Sequence, residues 1–172
     1  MLSKGAEKSL ISGKVYILKG GRFIMFYMIL IAIIFITDFK IKEFIEEKKE
    51  MHKSEEILNG KIIIERYHNK GVMLNFLENN VHLVKVVSLS LFGILLLFFA
   101  TLLPRKENRI MKLALSFIIG GASNNIYDRV KRGYVVDYFS FKFLKKVVFN
   151  ISDICIFVGS FIIILLSIFK RK

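Results

Sequence analysis

Cysteine and proline are nearly absent from this 172-residue chain, with one of each. The lone cysteine, Cys155, cannot form a disulfide within the chain; inside an apolar stretch it reads as a small buried hydrophobe. The lone proline, Pro104, ends an apolar run. No internal repeat and no low-complexity stretch is present. Acids are scarce: 14 Asp and Glu face 27 Lys and Arg, a net charge of +13. Such a balance could suit nucleic acid, but no basic stripe with interleaved aromatics lies on a soluble element, so no nucleic-acid partner is expected. His52, His68 and His82 show no H-E-x-x-H spacing, and oxygen-only metal sites usually need more carboxylates than this chain groups together. No metal ligand is therefore assigned. A serine or cysteine triad lacks a placed histidine.

What the chain does have is apolar sequence, 54% of it, in blocks that alternate with charged ones. That rules out intrinsic disorder and points to a membrane protein. Residues 23–37, 86–104 and 113–127 carry no charge, and 147–169 carries only Asp153. A spanning helix needs about 20 apolar residues. The second and fourth runs meet this; the first and third become spans if flanking Lys, Arg and Tyr snorkel. The expected fold is an α-helical integral membrane protein: a four-transmembrane-helix bundle with a small extracytoplasmic antiparallel β-sheet. Its organisation would be a basic N-terminal segment 1–22, a single membrane domain 23–169 and a basic tail 170–172.

The basic N-terminus followed by an apolar run could be a signal peptide. However, the run ends in Asp38-Phe39-Lys40 with no A-x-A-like cleavage site, which favours a retained first span. Within residues 1–22, Ile11, Val15 and Leu18 share a helical face, so an interfacial helix and a flexible tail both fit. Four spans put both termini on one side. By density the basic residues favour that side as cytoplasmic, with 12 in 34 residues against 14 in 60 on the other.

Residues 39–80 form the one long hydrophilic insertion. Ile41, Phe44, Ile45 and Lys48 continue helical spacing. Residues 55–58, Asn59-Gly60 and residues 61–67 then read as strand, two-residue turn and strand, with β-branched Ile62, Ile63 and Ile64. Residues 72–77 read as a third strand. Such a sheet would rest on or near the membrane surface.

The scarce acids are the informative residues. In a four-span topology Asp38, Asp128, Asp137 and Asp153 gather at one membrane face. Ionisable groups in spans are costly and are functional candidates by default. Asn125, Asp128 and Arg129 stand at i, i+3 and i+4 on one helix face; Asn150 and Asp153 stand at i, i+3 on another. Gly120 and Gly121 allow close helix packing. A polar glue would explain Asp128 and Arg129, which can neutralise each other. It leaves Asp137 and Asp153 without a dedicated basic partner. Two facing carboxylates cannot both ionise easily: one keeps a proton and polarises a carbonyl while the other activates water. That is aspartic-peptidase chemistry. A small transporter or scaffold using the acids as a relay is the alternative, although the inner halves of the spans are almost wholly apolar.

Five blocks in order resemble the lipoprotein signal peptidase (signal peptidase II) family: Asp38-x-x-x-Lys42, Asn69-x-Gly71, Gly120-Gly121-Ala122-Ser123-Asn124-Asn125-Ile126-Tyr127-Asp128-Arg129, Gly133-Tyr134-Val135-Val136-Asp137-Tyr138 and Phe149-Asn150-Ile151-Ser152-Asp153. The G-x-G-D of presenilin- and prepilin-type proteases is absent. The resemblance implies a monomeric bacterial intramembrane aspartic endopeptidase of the cell membrane, with both termini cytoplasmic and its active site near the extracytoplasmic face. It would cleave diacylglyceryl-modified prolipoproteins on the amino side of the lipidated cysteine. By the same resemblance the catalytic dyad is Asp137 and Asp153. Asn125, Asp128, Arg129 and Asn150 would support the site or bind substrate, Asn69 and Gly71 would hold substrate, and Asp38 and Lys42 would be structural or near the site. No cofactor is implied, and globomycin-type peptides would inhibit. The chain departs from the usual blocks at Phe39, Ile41, Val72, Met73, Leu74 and Ser152, which stands where Ala is common.

Overall fold

The computed structural model describes the backbone of residues 4–51, 53–72, 77–144 and 147–169, and side chains from residue 23 onward. Four α-helices and three strands follow in the order α1 (Lys4–Lys48), β1 (Ser54–Ile57), β2 (Ile62–Asn69), α2 (Val81–Leu102), α3 (Arg109–Lys131), β3 (Val135–Phe141) and α4 (Ile151–Phe169). Two short 3-10 turns, Glu78–Asn80 and Lys142–Leu144, precede α2 and follow β3.

Among the described residues, three helices are long and apolar enough to cross a membrane: Phe23–Lys48 within α1, Glu78–Leu102 and Ile151–Phe169. Their outward faces carry large exposed apolar side chains, such as Ile33 and Ile36 on α1, Ile94 and Leu97 on α2, and Phe161 and Ile164 on α4. In water such a surface would be an aggregation liability; in lipid it is the natural exterior. The run at 113–127 is also helical, but α3 is too polar to join that group. Its place in the bundle explains why. α3 packs against α1, α2 and α4 and buries Ser116, Asn124, Asn125 and Asp128. Other helices shield it from lipid, so it can carry the polar groups that the outer three cannot. Two glycines make the α3–α4 approach possible. A Cβ on Gly121 would sit 2.3 Å from the Ser152 carbonyl oxygen, and one on Gly159 would sit 2.5 Å from that of Ala114.

An unbroken α1 runs from Lys4, so backbone 4–22 is helical rather than a tail, and the same helix extends past the apolar run to Lys48. α2 stops at Leu102, two residues before Pro104, whose ring nitrogen has no N–H to continue the helical ladder. One apolar core lies between α1, α2 and α3 around Tyr27, Phe99, Leu102, Leu115 and Ile119. A second joins the α1 extension to the sheet through Ile45, Val136 and Tyr138.

Two sequence expectations for the sheet change. β1 and β2 do form an antiparallel hairpin, but Ile57 pairs with Ile62, so the connection is the four residues 58–61 rather than Asn59-Gly60 alone. Leu58, Asn59 and Gly60 all take positive φ. The third strand is β3, from the segment between α3 and α4, and the order is β1-β2-β3, all antiparallel. The sheet is thus not contained in 39–80. Of the strand expected at 72–77, residues 73–76 lie outside the described residues, as do His52 and the tail 170–172; Val72 and Leu77 lie in no strand. α3 ends at Lys131, the left-handed Gly133 (φ 82) turns the chain, and β3 pairs Asp137 with Tyr67 and Val135 with Asn69. Strand alternation then sends Val136 and Tyr138 onto α1 and Asp137 to the opposite side.

The glycine contacts give a direct test. Gly121→Val and Gly159→Val should each destabilise the folded protein by about 1–3 kcal/mol, the usual cost of overpacking. Gly93→Ala, with nothing within 4 Å of its Cβ position, should be neutral or stabilising. Unfolding midpoints in detergent distinguish the two classes.

Candidate active site

The site begins with the start of α4. Asn150 precedes the first helical residue, and its Oδ1 accepts from the Asp153 backbone N–H at 2.8 Å. Asp153 Oδ2 in turn accepts from the Asn150 N–H at 3.3 Å. This is a reciprocal capping box in which Asp fills the role usual for Glu or Gln. The i, i+3 spacing therefore serves local structure first: it fixes the Asp153 rotamer at the helix start, where the macrodipole favours negative charge.

Asn150 also reaches the strand. Its Nδ2 donates to Asp137 Oδ1 at 2.6 Å and lies 3.3 Å from Asn125 Oδ1. Asp137 Oδ2 accepts from Asn69 Nδ2 at 2.9 Å, and Asp153 Oδ1 accepts from Asn125 Nδ2 at 2.9 Å. Three asparagines from β2, α3 and the start of α4 thus bracket two carboxylates. Among the described residues neither carboxylate has a cationic nitrogen at ion-pair distance. Burial, and then the nearby charge of Asp153, push the Asp137 carboxyl up to about 8.

Behind this pair lies Lys42, fully buried on α1. Its Nζ is 3.1 Å from Asp38 Oδ2, 3.0 Å from Asp128 Oδ2 and 2.8 Å from Asn125 Oδ1. Asp128 also accepts from the Val136 N–H at 3.2 Å and pairs with Arg132 at 3.1 Å. This corrects the expected Asp128–Arg129 neutralisation. Arg129 instead donates to the Gly71 carbonyl at 3.1 Å, and Gly71 N–H donates to Asn69 Oδ1 at 3.1 Å. Adjacent helical residues point about 100° apart, so the i+4 residue Arg132 is the better-placed partner for Asp128.

All ten residues singled out from the sequence come together here, in two layers. Asn69, Asn125, Arg129, Asp137 and Asp153 line a cleft of about 560 Å³ between α2, α3, α4 and the sheet. Asp38, Lys42 and Asp128 form the buried layer behind it. Asn150 joins the layers, and Gly71 ties Asn69 to Arg129. Apart from Ser88, the rest of the cleft is apolar, with Leu91, Phe92 and Leu95 on α2 facing Ile118 on α3 and Ile156 and Phe157 on α4. Between Ser88 and Leu95 the α2 wall runs about 10 Å at 1.5 Å per residue. A polar, acid-bearing end thus opens onto a greasy slot.

A family model described as signal peptidase (SPase) II matches residues 30–169. The chain belongs to the signal peptidase II family. It is 40% identical over 102 residues to a lipoprotein signal peptidase of Caldanaerobacter subterraneus subsp. tengcongensis, covering 59% of this chain and 68% of that protein. It is 34% identical over 119 residues to a lipoprotein signal peptidase of Clostridioides difficile, covering 67% and 77%. Two solved structures described as bacterial membrane enzymes share the fold, with TM-scores of 0.75 and 0.70 at 22% and 23% identity, covering 85% and 82% of this chain and 89% and 91% of theirs. A signal peptidase II is a protease, and its apolar helices make this one a membrane protein.

Sequence reasoning gave no role to Asn124, Arg132, Tyr138 or Ser152. Asn124 Oδ1 is 3.4 Å from Lys42 Nζ. Tyr138 Oη donates to Asp38 Oδ1 at 2.7 Å, and Ser152 Oγ donates to Asp38 Oδ2 at 2.6 Å. Only the i, i+4 spacing of Arg132 from Asp128 was visible beforehand. The buried layer is testable through stability. Lys42→Met leaves Asp38 and Asp128 buried without their shared cation and should cost about 3–5 kcal/mol. Adding Asp128→Asn should recover part of that loss in the same denaturation assay.

Proposed function

We propose that this protein removes signal peptides from diacylglyceryl-modified prolipoproteins, cutting on the amino side of the lipidated cysteine with Asp137 and Asp153 as the catalytic dyad. The observation that carries this reading is the pair itself: the buried Asp137 and the part-buried Asp153, with no cation at ion-pair distance among the described residues, held by three asparagines at the polar end of an apolar slot. Asparagine amides orient carboxylates without neutralising them, which suits a pair that must hold one proton between them.

In this mechanism a water sits between the carboxylates. Asp137, whose proton is held by burial and by the charge across the gap, donates a hydrogen bond to the scissile carbonyl oxygen. Asp153 takes a proton from the water as its oxygen bonds to the carbonyl carbon. The tetrahedral intermediate collapses as that proton passes to the amide nitrogen; the C–N bond breaks, freeing the signal peptide's carboxyl end and the lipoprotein's amino end. Arg129 and Asn69, at the cleft wall, would hold substrate backbone, and the slot along Leu91, Phe92 and Leu95 would take acyl chain. A globomycin-type peptide would compete for the same cleft. In place α3 serves as a fourth, internal span, both termini lie in the cytoplasm, and the sheet and dyad lie at the opposite face. A carrier using the acids as a relay would need polar groups onward through the bundle. The core around Tyr27, Phe99, Leu102, Leu115 and Ile119 offers an apolar plug instead.

Two measurements test this. In a gel-shift assay on lipidated precursor, Asp137→Asn and Asp153→Asn should each abolish cleavage while the protein stays folded, and unlipidated precursor should remain uncut. Turnover by either variant would remove that residue from the dyad. With respect to pH, the acid form of Asp137 is present below about 8 and lost above it, so kcat should fall as pH rises through about 8. A flat profile to pH 10 would contradict the assigned proton.

A further inference from the structure

Each dyad aspartate has a chain neighbour whose hydroxyl is anchored on one and the same carboxylate. Tyr138 follows Asp137 on β3, and its Oη donates to Asp38 Oδ1 at 2.7 Å. Ser152 precedes Asp153 on α4, and its Oγ donates to Asp38 Oδ2 at 2.6 Å. The Ile151 N–H, first in α4, lies 3.2 Å from Asp38 Oδ1 and 3.0 Å from Tyr138 Oη. With Lys42 Nζ at 3.1 Å, Asp38 meets four donors, which matches the roughly four lone-pair sites of a carboxylate. All three side chains are buried, Asp38 and Ser152 completely. Ser152 is held from the other side too, because α3 presents Gly121 directly against its carbonyl.

We propose that Tyr138 and Ser152 are positioning residues that set the spacing of Asp137 and Asp153 through their shared hold on Asp38. The inference rests on the dyad assignment above. The geometry favours a clamp over a generic polar contact. Asp137 rides on a strand and Asp153 on a helix, and β3 and α4 are separate elements that could shift relative to each other. Asn150 bridges the pair directly, bonding to both carboxylates. The Asp38 clamp bridges the same two elements from behind, one residue from each aspartate. Neither hydroxyl lines the cleft, so neither touches substrate.

The distinguishing readout is the alkaline limb of the rate profile. The charged groups facing Asp137 are Asp153 from α4, Lys42 from α1 and Arg129 from α3, whose own surroundings include Asp128; β2 presents the neutral Asn69 and Tyr67, the register partner of Asp137. Burial and the charge of Asp153 hold its proton up. If the pair loosens, the Asp153 charge acts over a longer distance, and the limb moves to lower pH.

The experiment compares wild type, Tyr138→Phe, Ser152→Ala and the double variant on lipidated precursor, with kcat, KM, the kcat–pH profile and the unfolding midpoint measured for each. Tyr138→Phe should lower kcat roughly tenfold to a hundredfold, as misplacement of about 1 Å can do, with KM within about twofold and the alkaline limb displaced downward. Ser152→Ala should shift kcat and limb in the same direction by less. It removes a single oxygen, so it remains informative if Tyr138→Phe does not fold. An unchanged limb and kcat in Ser152→Ala and in any folded Tyr138→Phe, with only the unfolding midpoint lowered, would reduce the clamp to a structural contact and overturn the proposal. Failure of the wild type itself to cut lipidated precursor would instead overturn the dyad reading on which the clamp rests.

Discussion

A single buried ammonium organises this molecule. Lys42 Nζ lies within 3.1 Å of Asp38, Asp128 and Asn125. An unpaired cation there would be prohibitively costly, and so would either carboxylate alone. Each satisfies the others only when α1 and α3 are in register. Asp38 carries the constraint on to α4 and β3 through Ile151, Ser152 and Tyr138. Asp128 carries it to β3 through the Val136 N–H. Every element that bears a cleft acid is therefore referenced to the same point. The ion cluster specifies an arrangement that apolar packing between lipid-exposed helices specifies poorly, since lipid tails are as apolar as the helices themselves.

Around that point the bundle is layered by polarity. α1, α2 and α4 present apolar faces outward, and α3 runs among them with its polar residues shielded. Ion pairs in the buried layer neutralise one another, while asparagines at the cleft hold carboxylates that stay unpaired. The division is chemical. A lysine at ion-pair distance from Asp137 would hold it ionised; an amide orients it and leaves the proton in place. The structural cation stands behind the pair and is linked to Asp153 by hydrogen bonds through the Asn125 amide.

Local signals proved readable where local physics decides. Helical runs, the stop before Pro104 and the hairpin at Asn59-Gly60 follow from periodicity, proline sterics and left-handed φ. The gathering of Asp38, Asp128, Asp137 and Asp153 followed from topology, because alternate span ends share a membrane face. β3 could not be read this way. Val135–Phe141 is a mostly apolar segment between two helices, and its partner β2 lies some seventy residues earlier, so no local pattern announces the pairing. The same limit hid Tyr138 and Ser152, whose roles depend on Asp38, 100 and 114 residues away.

The sequence by itself determined the solvent this protein suits, the number of its helices and the gathering of Asp38, Asp128, Asp137 and Asp153. Those depend on composition, period and the cost of isolated charge, which are properties of residues and short segments. Tertiary structure alone decided which acid meets which partner. It gave Asp128 to Lys42 and Arg132 rather than Arg129, and left Asp137 and Asp153 to amides. It also placed β3 so that one face packs on α1 while the other carries Asp137 into the cleft. Pairing among buried charges is a competition over distances of about 3 Å, and only the packed helices set those distances.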